Sequence, residues 1–173
     1  MGLPAAVIAV DMPLALPVDG TRRACEVAAR ARLGPARSSI FFAPPLAVLE
    51  ASSHAEASVL SRAAGSVGVS IQTWNIVPKI REALAVSDDR LLEVHPELSF
   101  RALGPVTASK KTATGRSERL ALLGSPKLPR GVAPTEDLLD ALACATTAER
   151  WLRGDAEELG RETLAGRLSR IVV

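Results

Sequence analysis

Six residues of this chain have types and spacings that could do chemistry: Asp11, Glu93, His95, Glu97, Asp137 and Asp140. Asp11 directly follows the apolar run Ala5-Ala6-Val7-Ile8-Ala9-Val10. Glu93 and Glu97 bracket His95-Pro96 just after Leu91-Leu92, and Asp137 and Asp140 lie one helical turn apart in an Ala/Leu-rich segment. Open α/β folds gather their chemistry at the carboxyl ends of strands. Carboxylate oxygens are the ligands that Mg²⁺ and Mn²⁺ prefer. A divalent-metal site is the chemistry these acids could build together.

Each residue also has a plainer explanation. Asp11 could simply turn the chain at Met12-Pro13. Asp137 would favour a helix dipole from the first turn. His95 could be a ligand, a proton carrier or a core histidine bonded to a carbonyl. Asp140 is harder to dismiss, because Leu139, Ala141, Leu142, Ala143 and Cys144 surround it and a buried carboxylate needs a cation or strong donors. Glu93 and His95 are two apart, so in extended chain they share a face.

The elements that must position these groups follow from the pattern. Residues 5–10 are apolar without alternation, as in a strand buried on both faces. Thr21 is placed to cap a helix ending at Gly34-Pro35. Further helices are expected near 53–64, 70–85, 97–103, 114–123 and 135–153, with a short strand over 90–94 and a last strand over 170–173. Strands alternating with helices argue for an α/β class, and no linker is long enough to split the 173 residues into two domains. A single domain over 1–173 is expected.

Composition narrows the function classes. The 47% apolar content supports a core, and 21 basic against 19 acidic residues leave little net charge. Arg22, Arg23, Arg30, Arg32 and Arg37 form one basic stretch, and Lys110, Lys111, Arg116 and Arg119 a second. Such surfaces around an acidic metal centre would suit a phosphodiester, although solvated helix faces give the same pattern. Cys25 and Cys144 have no metal-binding spacing and read as small core residues of a reduced, cytoplasmic protein. No membrane span and no signal-peptide order is visible. Dinucleotide, Walker, zincin and nucleophile-elbow motifs are absent.

Six phrases occur in a telling order: Ile8-Ala9-Val10-Asp11-Met12-Pro13, Arg37-Ser38-Ser39-Ile40-Phe41, Trp74-Asn75-Ile76-Val77-Pro78-Lys79-Ile80, Glu93-Val94-His95-Pro96-Glu97-Leu98-Ser99-Phe100, Ser109-Lys110-Lys111-Thr112 and Asp137-Leu138-Leu139-Asp140-Ala141. In that order they resemble the family catalogued as domain of unknown function 429, regarded as RNase H-like nucleases. The resemblance implies an RNase H-like mixed sheet flanked by helices, with a carboxylate centre for Mg²⁺ or Mn²⁺ acting on a phosphodiester. It implies metal at Asp11, Asp137, Asp140 and Glu93, and catalysis by Asp11, Glu93, His95 and Asp140. Glu97 belongs to the signature. Lys79, Lys110, Lys111 and Arg37 are the basic positions expected to meet substrate phosphate.

The resemblance implies a first Gly-x-Asp strand ahead of Asp11 that residues 1–10 do not supply, so either a misplaced start or a shortened protein is expected. Two functions are therefore expected to compete. One is a metal-dependent nuclease or related phosphodiester hydrolase. The other is a catalytically impaired relative that binds a nucleic acid, a protein or a phosphorylated ligand. Residues 5–10 would be left with an open apolar edge. A second copy in a homodimer, a partner protein or the carboxyl-terminal Ile171-Val172-Val173 is expected to cover it.

Overall fold

The structure, a computed structural model, describes residues 5–173. In chain order its elements are strand β1 (Ile8–Val10), helix α1 (Ala24–Leu33), two 3₁₀ turns (Gly34–Ser39 and Leu46–Glu50), α2 (His54–Ala63), α3 (Ile71–Ala85), β2 (Leu91–Glu93), α4 (Pro96–Leu103), α5 (Ala113–Leu122), α6 (Thr135–Arg153), β3 (Glu158–Leu164) and β4 (Arg167–Val172). The class is mixed α/β, with two small two-stranded sheets among the described residues. These residues gather into two compact units.

The first unit takes the described residues up to Asp11, then Arg90–Glu157 and Val172–Val173. Its sheet pairs β1 with β2 in parallel, with Ile8 beside Leu91, Ala9 beside Leu92 and Val10 beside Glu93. The ladder continues through the Val94 N–H to the Val10 carbonyl at 3.0 Å. Val172 forms a parallel bridge with Val94, so the carboxyl terminus lies beside the end of β2. It does not cover β1, and among the described residues β1 pairs with β2 alone. Ile8, Ala9 and Val10 are accordingly half-buried, where the apolar run alone suggested burial on both faces.

Two apolar clusters hold this unit. Leu92, Val94, Val172 and Cys144 pack with Val7, Ala9 and Trp151, which joins the sheet to α6. Phe100, Leu139 and Ala143 pack with Leu120, Leu122 and Leu123, which joins α4, α5 and α6. A buried Thr147 to Ser99 hydroxyl bond of 2.8 Å ties α6 to α4. Pro96 starts α4 at the first helical position, where its missing N–H costs nothing. Gly154 ends α6 in the left-handed conformation at φ 78°.

The second unit takes Met12–Asp89 and Glu158–Ile171. Ser53 and Ser70 cap α2 and α3 by accepting from the N–H groups of Glu56 and Thr73. Val48, Ala51, Ala57, Val69 and Val77 form one apolar cluster of it, with Trp74 packed against them. One expectation changes here. Thr21 turns towards Asp19 instead of capping α1. The Ala24 N–H at the start of α1 is met by the Glu162 carboxylate of β3 at 2.6 Å. The last strand expected over 170–173 is the end of β4, whereas β3 and the hairpin it forms with β4 were not legible in the sequence. Its two-residue turn, Ala165 at φ 47° and Gly166 at φ 76°, has the two positive φ values of a tight hairpin turn.

Candidate functional site

The end of β1, the end of β2 and the inner side of α6 bring Asp11, Glu93 and Asp140 together within the first unit. The register sets Val10 beside Glu93, so Asp11 leaves β1 level with the step from β2 into α4. Leu92 and Val94 enter the core, which leaves Glu93 and His95 to the other face of the extended segment. Glu93 is buried at 6% exposure. His95 is the residue on which α4 starts, its carbonyl accepting from the Leu98 and Ser99 N–H groups.

Asp11 has solvent-reachable surface, yet enough protein surrounds it for burial to be the first influence on its carboxyl. Burial raises its pKa above the ordinary 3.8; the His95 charge acts against that rise, Asp140 adds to it, Lys110 opposes it and Glu93 adds least. Cys144 reports the same convergence from the helix side. Its thiol is pushed up to about 12 by burial, then by Asp11 and Asp140. Asp140 and Cys144 are four residues apart and so share a face of α6.

Asp140 has two unlike oxygens. Oδ2 accepts from the Lys110 Nζ at 2.6 Å. Oδ1 is buried and has no hydrogen-bond partner among the described residues. Burial works against the charged form of Lys110, but the Asp140 hydrogen bond and charge, with Glu97 and Asp11 adding, outweigh it and raise its pKa above 10.5.

Lys110 sits on a loop clamped to α5. Thr112 caps α5 by accepting from the Gly115 N–H, and its hydroxyl donates to the Ser109 carbonyl at 2.8 Å. Glu118 accepts from the Thr107 and Ala108 N–H groups at 3.1 and 3.0 Å. Arg119 donates to the Ala108 carbonyl at 3.0 Å. Gly115 lets the helix approach that loop, since a Cβ there would lie 2.0 Å from the Ser109 oxygen. Glu118 and Gly115 were not singled out from the sequence, and Arg119 only as one of a basic stretch. A glycine in the first turn of an expected helix was the available signal.

Other predicted residues fall outside this constellation. Glu97 meets Arg119 through both oxygens, at 2.9 and 2.8 Å, in a largely buried ion pair. Asp137 is exposed on the first turn of α6, and Lys111 is exposed beside Lys110. Arg37 and Lys79 belong to the second unit, where both are exposed. Much of the first basic stretch is structural: Arg23 forms a buried pair with Glu26, and Arg22 and Arg30 stack on the Phe42 ring at 4.2 and 4.7 Å.

Whether the donors suit a metal divides by atom. Among the described residues, no three His, Cys, Asp or Glu side chains stand as a ready-made metal nest. The buried Oδ1 of Asp140 nevertheless suits a cation, as do the like-charged neighbours of Asp11. Asp11 and Asp140 are therefore the pair that could hold a divalent ion, with Glu93 and His95 at its margin. No helix among the described residues is long and apolar enough to cross a membrane.

No curated protein and no solved structure matches the chain. The family described as "Protein of unknown function (DUF429)" matches it over residues 3–164, nearly its whole length, and the chain belongs to that family.

Proposed function

We propose that the first unit carries a divalent-metal-dependent nuclease, or a related phosphodiester hydrolase, of the RNase H-like class. The observation that supports this most is the unequal Asp140 carboxylate beside Asp11: one oxygen held by an ammonium, the other buried and unmet. Support for the RNase H-like sheet is the parallel β1–β2 pair, the acid that follows β1 and the packing of α6 on that pair. Asp11 and Asp140 hold Mg²⁺ or Mn²⁺, with Asp137 one turn before Asp140 as a further acid. Bound there, the ion supplies an activated water and charge neutralisation at phosphate.

The remaining residues do the rest. Glu93 positions the attacking water or adds a ligand, and His95 carries a proton. Lys110 meets a phosphate oxygen, with Lys111 next to it. The protein works in the cytoplasm on a nucleic acid, and the open edge of β1 over residues 5–10 is covered by a second copy in a homodimer or by a partner.

A second reading is favoured by one observation. Lys110 already neutralises Asp140, and no complete metal nest stands among the described residues. On that reading the chain is a catalytically impaired relative that binds a nucleic acid, a protein or a phosphorylated ligand. Labelled DNA, RNA and hybrid oligonucleotides incubated with Mn²⁺ separate the two. The hydrolase cleaves at least one of them, loses that cleavage on chelation and loses it in Asp140→Asn. Retention of an oligonucleotide without cleavage in any metal supports the binding module and removes the hydrolase.

A further inference from the structure

We propose that Lys110 is a built-in second cation of this centre, so that the centre takes one divalent ion where a two-ion site would take two. The inference rests on the hydrolase reading. A carboxylate shared between two metal ions gives one oxygen to each. Asp140 has that division of labour, but with an ammonium on one side: Oδ2 is held by Lys110 at 2.6 Å, at the short end of charge-assisted bonds, while Oδ1 is buried and unmet.

Lysine is ordinarily a mobile, strongly hydrated charge. Here its backbone is fixed. The Ser109 carbonyl accepts from both the N–H and the hydroxyl of Thr112, and the Ala108 carbonyl accepts from the buried Arg119. Gly115 allows the closest approach of α5 to the same loop. The Lys110 side chain remains 37% exposed, so part of the ammonium can still face a phosphate oxygen.

Calorimetric titration of the metal-free full chain with Mn²⁺ tests this. Wild type binds one ion, Lys110→Met binds two, and Lys110→Arg, which keeps the charge, binds one. A Lys110→Met chain that still binds one ion overturns the inference and leaves the hydrolase reading standing, as does a wild type that binds two. A Lys110→Arg chain that also gains an ion shows a steric effect and overturns it as well. A wild type that binds none overturns both readings, whatever the variants do. Cooperative thermal melting checks that each variant is folded, and Lys110→Gln is titrated by the same criteria if Lys110→Met is not.

Discussion

Arg119 Nη2 donates to both oxygens of Glu97, at 2.9 and 2.8 Å, with only 3% and 13% of the two side chains exposed. The second acid of the Glu-Val-His-Pro-Glu phrase is thus a brace between α4 and α5. The same guanidinium holds the Ala108 carbonyl two residues before Lys110. Glu97 acts on the site through Arg119.

Removing one partner of such a pair strands the other as a buried charge. Glu97→Ala is expected to cost about 3 kcal/mol. For a chain of this size that lowers Tm by about 6–12 °C. Thermal melting measures it directly, and a variant within about 2 °C of wild type would show the pair to be incidental.

Gly115→Ala separates local propensity from packing. Propensity alone favours alanine in a helix by about 1 kcal/mol. Against that, the new Cβ would meet backbone, the Ser109 oxygen at 2.0 Å and its carbonyl carbon at 2.6 Å. Overpacking against backbone wins, and a net loss of about 2 kcal/mol is expected. A chain that melts higher than wild type contradicts the close approach of α5 to the Lys110 loop.

Burial, with Asp140 and Glu93 adding to it, works against the Asp11 carboxylate more than His95 and Lys110 favour it. Its folded carboxyl binds a proton more tightly than the unfolded one, whose ordinary value is 3.8. Stability therefore falls as pH rises from 3.8 through the folded value. Without metal, Asp11→Asn is expected to melt above wild type at pH 7. The gap should narrow as pH falls through the folded value and vanish below 3.8. A gap of opposite sign at pH 7 would mean that His95 and Lys110 outweigh burial and the neighbouring acids at Asp11.

The sequence shows the helices better than the sheet. Ser53 and Ser70 announce α2 and α3, and α3 runs through Pro78, an exposed position in its second half. Asp11, Glu93, His95 and Asp140 are visible because acids rarely follow apolar runs or interrupt an Ala/Leu helix without a reason. The hairpin was hidden because β3 is mostly polar: Leu159 is its buried side chain. What holds it in place is long-range, Gly160 against the Ala24–Cys25 backbone and Glu162 on the α1 terminus. The Lys110–Asp140 contact spans thirty residues, and no spacing rule reaches that far.

The central claim is that Asp11 and Asp140 hold a divalent ion. Melting with Mn²⁺ at about a hundred times its dissociation constant tests it, since such binding stabilises the folded chain by about 2.7 kcal/mol. Wild type should rise by about 5–10 °C at this chain length, while Asp11→Asn and Asp140→Asn should not move. A wild-type Tm unchanged by Mn²⁺, or variants that rise as far as wild type, would contradict the account.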